Sequence, residues 1–426
     1  MLTRKKKDSG IKWIGEIPED WEIRKLKYTL EERNEKNNPI VTDNILSLSV
    51  ERGIFPYAEK TGGGNKSKSD LTAYKVAHPN DIVINSMNIL AGAVGLSRYT
   101  GVVSPVYYTL YTTSEEINIT YYYYLFRTRE FQRSLLGLGN GIMMRESSTG
   151  KLNTIRMRIP MDKLAGLFLP LPPRRVQDLI VKSLAKDIKV VNKLINQTEQ
   201  SIKELKNYKQ SLITESVTKG IDPNVEMKDS GVEWIGDIPK HWNINKIKYN
   251  TSTIDTKKDF VKEDIYIGLE NVLSYEGRIN DYGKLVKDSK EKYFEKGNIL
   301  YSKLRPYLAK AFIADINGSC SGEFIVFESF KGNKRYLLYW LISQLFTDFI
   351  NATSYGAKMP RSSWDYIKET SIPRPPKHEE NEIVSYLDDK LSQINKLIEN
   401  KTKVIKELET YKNSLIYEYV TGKKEV

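Results

Sequence analysis

The chain has 426 residues, 40% hydrophobic and 28% charged, so it is long enough to bury the cores of several domains. Lys and Arg number 66 against 54 Asp and Glu, and the net charge of +12 favours a polyanionic partner, with nucleic acid ahead of an anionic membrane. The single cysteine, Cys320, excludes an internal disulfide, and the three histidines lack the spacing of metal ligands. No apolar run approaches the roughly 18 residues that cross a bilayer, and no secretory signal follows the basic N-terminus, so we expect a cytoplasmic protein without a membrane partner.

A short segment near the start of the chain recurs in its middle. Residues 7–18 and 228–239 are identical at nine of twelve positions, and a further tryptophan follows each copy, Trp21 and Trp242. Glycine and proline mark turns in both copies, and the tryptophans are predicted to clamp each segment onto a core.

Each opening segment leads into a region of mixed character. Short β-branched or aromatic runs predict strands at 45–50, 81–84, 106–110, 298–301 and 324–327. Helices are predicted over 120–136 and, as its counterpart, over 335–350. The four consecutive tyrosines at 121–124 are interpreted mainly as core residues, because neighbouring positions on a helix face different directions.

Two long segments, 172–220 and 375–422, form the second repeat. Each begins with Pro-Pro and then continues without proline or glycine almost to its end, with apolar residues at the a and d positions of heptads. The polar exceptions recur as well, since Lys209 and Lys412 occupy the same a position. We predict two long helices whose seams face each other and whose outer faces receive partners. The alternative is two unrelated amphipathic helices, each buried on its own domain.

The two repeats predict an α+β fold with an internal pseudo-two-fold repeat. It consists of two similar mixed α/β domains separated by two long antiparallel coiled-coil helices. The predicted spans are 1–170 for the first domain, 171–222 for the first helix, 223–373 for the second domain and 374–426 for the second helix. The offset between the halves falls from 221 to 203 along the chain, so the halves share a frame and differ in loop length.

The sequence contains no convincing catalytic motif. It has no P-loop, no Asn/Asp-Pro-Pro-aromatic motif of an adenine methyltransferase, and no carboxylate–lysine cluster of a nuclease. We therefore expect a chain that is not an enzyme, with no catalytic and no metal-binding residues.

Loops that mix cations, amides, hydroxyls and aromatics occur in both halves, and such side chains contact phosphates and base edges. For any single one of them, a solvated surface role remains the alternative. The residues predicted to bind DNA are Asn65, Lys66, Lys68, Asn88, Arg98, Tyr99, Arg145, Ser147 and Lys151 in the first half, and Lys303, Arg305, Tyr307, Lys310, Lys358, Arg361, Ser362 and Trp364 in the second.

In its order of motifs, the whole chain resembles the specificity (S) subunit of type I restriction–modification systems. The resemblance rests on the two Trp-Ile-Gly-Glu/Asp-Ile-Pro openings, the stretches 297–307 and 359–364, and the Ile-Pro and Pro-Pro sequences that lead into the helices. The first half departs from the pattern, because it lacks Arg-Pro after the strand at 81–84 and has 143–146 in place of Met-Pro-Arg.

The resemblance implies a DNA sequence-specificity subunit. Two target-recognition domains would each read one half of a bipartite target in double-stranded DNA, and the helices would set the spacing. The helices would also dock methyltransferase (M) subunits, usually two, and restriction (R) subunits would join that core. S-adenosylmethionine, ATP and Mg would bind to the partner subunits and not to this chain.

Two other functions remain open at this stage. A stand-alone nuclease or methyltransferase would need a catalytic domain, and the two repeats already use the available length. The other alternative is a coiled-coil scaffold, or a stand-alone DNA-binding protein without a role in restriction. A pure scaffold would not need the basic loops.

Overall fold

The computed structural model describes residues 5–61, 70–140, 157–356 and 358–426, and the backbone of 145–146 and 152–153. The chain divides into a first unit, Met1–Gln197 with Val404–Val426, and a second unit, Thr198–Lys403. Each unit contains one globular domain and a stretch of both long helices. The four segments predicted in linear order regroup in this way because each long helix contributes to both units.

The first domain precedes the first long helix, α4 (Arg174–Lys219). It contains 3-10 turns at Leu26–Tyr28, Tyr57–Glu59 and Ile89–Ala91. Its other elements are β1 (Lys6–Asp8), β2 (Glu16–Pro18), β3 (Glu22–Lys25), β4 (Glu31–Glu32), β5 (Leu46–Ser49), β6 (Gly53–Pro56), β7 (Lys75–Ala77), β8 (Ile82–Asn85), β9 (Val94–Leu96), β10 (Gly101–Val103), β11 (Tyr107–Tyr111), α1 (Ile119–Phe126), α2 (Arg129–Ser134), β12 (Arg145–Glu146), β13 (Leu152–Asn153), α3 (Met161–Ala165) and β14 (Phe168–Leu171).

The second domain lies between α4 and the second long helix, α8 (Lys377–Val420). Its 3-10 turns are Ile247–Tyr249, Leu269–Asn271 and Pro306–Leu308. Its other elements are β15 (Met227–Asp229), β16 (Asp237–Pro239), β17 (Asn243–Lys246), β18 (Thr251–Ile254), β19 (Lys257–Phe260), β20 (Ile265–Ile267), β21 (Gly283–Lys284), β22 (Ser289–Phe294), β23 (Ile299–Ser302), β24 (Ala311–Ile313), β25 (Gly318–Cys320), β26 (Phe324–Phe330), α5 (Lys334–Ile342), α6 (Gln344–Ala352), α7 (Trp364–Ile367) and β27 (Ser371–Arg374).

The two domains share one frame. The antiparallel sheet β4-β11-β8-β9 of the first corresponds to β18-β26-β23-β24 of the second, and the pairs β3–β14 and β1–β2 correspond to β17–β27 and β15–β16. The five strands predicted from sequence are present as β5, β8, β11, β23 and β26. The predicted α+β class and internal repeat are therefore confirmed.

Outside that frame the domains differ. The first adds the pairs β5–β6 and β7–β10, whereas the second adds a five-stranded sheet in the order β19-β22-β25-β20-β21, in which β20 runs parallel to β25. The regions in which the two halves differ in sequence thus form different sheets around the same frame.

The predicted single helices at 120–136 and 335–350 are wrong in one respect, because each is two helices. In the first, the Thr128 side chain accepts a hydrogen bond from the Phe131 N–H at 3.3 Å and starts α2. In the second, Ser343 does the same for Phe346 at 3.3 Å and starts α6. A side-chain cap at these positions satisfies the amides of a new helix and so breaks the longer one.

The tryptophans of both opening segments pack as predicted. Trp21 and Trp242 are buried in the cores of their units, and Trp13 and Trp234 pack against the same cores. Trp234 stacks on Phe349 with ring centroids 4.2 Å apart.

The seams of the two long helices face each other within each unit, as predicted. In the first unit, Leu184 of α4 shares a core with Leu415 of α8; in the second, Leu212 shares a core with Leu391. The helices run antiparallel in both units.

Both long helices end in the same way. Gly220 and Gly422 adopt left-handed conformations with φ of 77° and 69°, which few other residues adopt without strain. A tyrosine hydroxyl of the adjoining domain then donates to a carbonyl of the last turn. Tyr121 donates to Val420 at 2.7 Å, and Tyr336 donates to Val217 at 3.0 Å.

We expect Leu387→Ala to lower the free energy of unfolding by about 2–5 kcal/mol, because Leu387 is fully buried in the core of the second unit. Leu397→Ala is the matched control on the same helix. Leu397 is 49% exposed, so its truncation should change stability by less than about 0.5 kcal/mol. Urea unfolding followed by circular dichroism measures both, and equal losses would contradict the assigned seam.

Candidate nucleic-acid interface

The hairpin that joins β23 to β24 presents a tight turn on the surface of the second domain. Its 3-10 turn, Pro306–Leu308, is flanked by two left-handed residues, Arg305 with φ of 51° and Ala309 with φ of 44°. Left-handed non-glycine residues are strained and persist where their surroundings fix them. The side chains of Arg305 and Tyr307 are exposed.

A second loop runs beside this turn and adds further cations. The Arg305 N–H donates to the Pro360 carbonyl at 2.7 Å, and the Ser362 N–H donates to the Lys303 carbonyl at 2.9 Å. Lys358 is exposed, and Arg361 is half-buried and forms an ion pair with Glu323. The structure therefore brings five predicted DNA-binding residues together, namely Lys303, Arg305, Tyr307, Lys358 and Arg361.

Three other predicted residues of this half support the surface from beneath. The Lys310 ammonium donates to the Leu269 carbonyl at 2.6 Å, and burial lowers its pKa. Ser362 is buried, and its hydroxyl has no partner among the described residues. Trp364 packs edge-on against Phe327 with centroids 5.6 Å apart. Lys310 and Trp364 are half-buried and Ser362 is buried, so they are less accessible than Arg305, and their DNA contacts stay predictions.

The first domain has a turn in the equivalent position, between β8 and β9. Its 3-10 turn, Ile89–Ala91, follows the exposed Asn88. The backbone contact that fixes the second loop also recurs, because the Ile159 N–H donates to the Ser86 carbonyl at 3.0 Å. The same frame thus presents a hairpin turn and an adjoining loop in both domains.

This pairing identifies a residue that the sequence interpretation missed. Arg158 exchanges backbone hydrogen bonds with Asn140, as Arg361 does with Tyr355, and its side chain is exposed. Arg158, and not Arg145, is therefore the backbone counterpart of Arg361. The signal was present in the sequence, because the offset of 203 that relates the long helices also relates these two arginines.

The remaining predicted residues of the first half are placed less fully. Arg98 and Tyr99 are exposed and follow β9, and the Tyr99 N–H donates to the Ser97 hydroxyl at 3.2 Å. Only the backbone of Arg145 is described, in β12. Asn65, Lys66, Lys68, Ser147 and Lys151 lie outside the described residues and stay predictions.

The described ranges contain neither a metal-binding cluster nor a membrane-spanning helix. No group of three His, Cys, Asp or Glu side chains there is arranged to hold a metal ion. No helix in the described part of the chain combines the length and apolar character needed to span a membrane. Cys320 is fully buried, and burial raises the pKa of its thiol to about 12.

Solved structures share this duplicated architecture. The HsdS subunit from Thermoanaerobacter tengcongensis aligns over 98% of this chain and 100% of its own length, with a TM-score of 0.51 and 14% sequence identity. A chain from a structure concerning complex assembly and conformational transition of the type I R-M system aligns over 95% of this chain and 98% of its own, with a TM-score of 0.67 and 13% identity. The fold is therefore that of an HsdS subunit.

Sequence comparisons agree with the fold. Residues 235–408 match the family described as type I restriction modification DNA specificity domain. The EcoDI specificity subunit of Escherichia coli is 22% identical over 87% of this chain and 81% of its own length. The MjaVIII specificity subunit of Methanocaldococcus jannaschii is 24% identical over 96% and 93%. Residues 235–408 thus match the specificity-domain family, and nearly the whole chain is similar to type I restriction enzyme specificity subunits.

We expect Ser362→Ala to leave stability unchanged or to raise it by up to about 1 kcal/mol, because it removes a buried hydroxyl without a partner in the described structure. Ser343→Ala is the matched control. The buried Ser343 hydroxyl caps α6, so its loss should cost about 1 kcal/mol. Thermal unfolding of both variants measures the difference, and a large loss for Ser362→Ala would contradict the placement.

Proposed function

We propose that this chain selects the DNA target of a type I restriction–modification complex, each domain reading one half of a bipartite site. The observation that carries the proposal is the equivalent hairpin turn and adjoining loop in both domains, surrounded by different sheets. The shared frame presents the turn and its adjoining loop in the same arrangement in both domains. The different sheets around them give each domain its own preference for a DNA sequence.

Cations around the turn of the second domain supply the contacts; Arg305 and Lys358 are exposed, and Lys303 is half-buried. Lys303 and Lys358 suit phosphate oxygens, which position the protein on the duplex. Arg305 suits either phosphate or the paired acceptors of guanine in the major groove, and Tyr307 beside it offers a hydroxyl and an apolar ring. In the first domain, Asn88 precedes the equivalent turn, and Arg158 is the backbone counterpart of Arg361.

The long helices set the spacing between the half-sites. The 46 residues of α4 correspond to a length of roughly 70 Å at 1.5 Å per residue. Because the DNA helix repeats about every 10.5 base pairs, a fixed separation allows only targets with one spacing to meet both domains.

Outer surfaces of the helices are proposed to dock the M subunits. In the first unit, Leu194 and Tyr411 are 45% and 53% exposed, and the Lys412–Asn192 hydrogen bond places them at the same level of the helix pair. Leu397 and Tyr208 repeat this pair in the second unit, at 49% and 55% exposure. Two identical apolar pairs support two M subunits for each chain.

The chain itself is proposed to be non-catalytic and to bind no cofactor. S-adenosylmethionine would bind to the M subunits, and ATP and Mg would serve the R subunits that join the assembled core. A scaffold without a DNA role is less favoured, because it gives no reason for exposed cations at the turn of the second domain and at the loop beside the equivalent turn of the first.

We expect Arg305→Ala and Arg158→Ala to weaken DNA binding by the assembled S–M complex through different half-sites. Each loss should be about 1–3 kcal/mol for a base contact, or should lower the salt slope by about 1 for a phosphate contact. Measuring binding to duplexes altered in either half-site, at several salt concentrations, distinguishes a base contact from a phosphate contact. Lys240→Ala is the control, because Lys240 directly follows the second opening segment, is 62% exposed and pairs with Glu226, which belongs to neither turn. Unchanged binding by both arginine variants would reject the proposed interface.

Docking has a separate test. We expect Leu397→Glu to remove one M subunit, and Leu194→Glu with Leu397→Glu to remove both, because a charge would be buried at each contact. Native mass spectrometry of the purified complex measures the stoichiometry. Val286→Glu, at a residue 84% exposed in the second domain, should leave it unchanged. If the double variant still bound both M subunits, the M subunits would have to dock on another surface.

A further inference from the structure

A buried lysine of the first long helix joins the second domain to the helix pair. The Lys209 ammonium donates to the Glu276 carboxylate at 2.6 Å and to the Asn395 side-chain carbonyl of α8 at 3.0 Å. Its side chain is only 4% exposed, and that of Glu276 is 25% exposed. Arg278 lies 3.8 Å from the same carboxylate and is largely in solvent. Burying a lysine ammonium in a helix seam costs free energy unless the charge is paired. Glu276 and Asn395 are the two partners here.

The loop that carries Glu276 also holds the exposed turn of the second domain. The Tyr275 hydroxyl donates to the Tyr307 carbonyl at 3.0 Å, and the Tyr275 N–H donates to the Ala309 carbonyl at 3.3 Å. From the other side, the Gln210 amide donates to the Tyr275 carbonyl at 3.4 Å. Tyr275 therefore contacts both α4 and the strained turn that presents Arg305.

A cleft lies beside the contacts of Lys209 and Tyr275, so these contacts contribute to the position of the turn. The cleft has a volume of about 1020 Å³ and lies between the helix pair and the second domain, and Lys209, Tyr275 and Glu276 are among its lining residues. Because open space separates the loop from part of the helix surface, packing alone does not fix the loop there. The ion pair and the tyrosine hydrogen bonds span the edge of that space.

The first unit lacks this connection in the part that the structure describes. Its equivalent lysine, Lys412, donates to Asn192 at 3.1 Å, and no carboxylate among the described residues pairs with it. The lysine–asparagine pair is therefore common to both units, whereas the link to a domain loop belongs to the second. If Lys209 served only to pair the helices, its bond to Asn395 would be sufficient and the bond to Glu276 would not be needed.

We infer that Lys209, Glu276 and Tyr275 are positioning residues that hold the exposed Arg305–Tyr307 turn against the helix pair and so determine how faithfully the second domain reads its half-site. The inference rests on the proposed function. Among its described residues the first domain has no such brace, so we expect the effect of Lys209, Glu276 and Tyr275 to be confined to one half of the target.

The test uses the assembled S–M complex and duplexes altered in one half-site at a time. The half-site of the second domain is first assigned by exchanging residues 15–165 for those of another specificity subunit, which changes only the other half. We expect Lys209→Met and Tyr275→Phe to reduce discrimination at the assigned half-site by roughly five- to tenfold, typical of a modest coupling between two sites. Discrimination at the other half-site should stay as in the wild type.

Two controls separate positioning from general damage. Lys412→Met removes the equivalent lysine of the first unit and should leave discrimination at both half-sites unchanged. The exchange Lys209→Glu with Glu276→Lys restores the ion pair and should recover most of the lost discrimination, which a merely destabilised helix pair would not do. Thermal unfolding and M-subunit binding show whether each variant assembles.

The outcomes are distinct. Equal losses at both half-sites, or no recovery by the charge exchange, would overturn the inference and leave Lys209 a helix-pairing residue. Wild-type discrimination in Lys209→Met and Tyr275→Phe would also overturn it. Absence of sequence-specific binding by the wild-type complex would instead refute the proposed function.

Discussion

Each domain is attached to the end of a long helix from the other half of the sequence. Tyr121 of the first domain bonds to the last turn of α8, and Tyr336 of the second bonds to the last turn of α4. Each unit therefore requires both repeats, because its core combines one domain with one stretch of each helix. Each domain is thus held by both long helices of its own unit.

The polar exceptions in the helix seams serve this pairing. Lys209 bonds to Asn395 in the second unit, and Lys412 bonds to Asn192 in the first. A polar side chain at a seam position lowers stability but favours one register, because any shift leaves it without its partner. That reason explains why the same exceptions occur in both copies, where apolar residues would give a stronger but less selective seam.

The sequence predicted the frame well because periodicity and repetition report burial directly. The seam of Leu184 and Leu212, the clamping tryptophans and five strands all followed from such patterns. The break at Thr128 did not, since a threonine inside a helical pattern looks the same whether or not its hydroxyl caps a new helix. Arg158 was missed because residues 143–146 were set against the Met-Pro-Arg sequence, although the helix offset of 203 relates Arg158 to Arg361. The inward placement of Lys310 depends on the distant Leu269 carbonyl, which no local pattern reveals.

The buried state of Cys320 has a practical consequence. The thiolate is the species that reacts with maleimides and related dyes, and a pKa of about 12 leaves very little of it at neutral pH. Because this is the only cysteine of the chain, engineered cysteines on the exposed turns can be labelled without removing it. Fluorescent pairs attached there would measure the separation of the two turns in solution, with and without DNA.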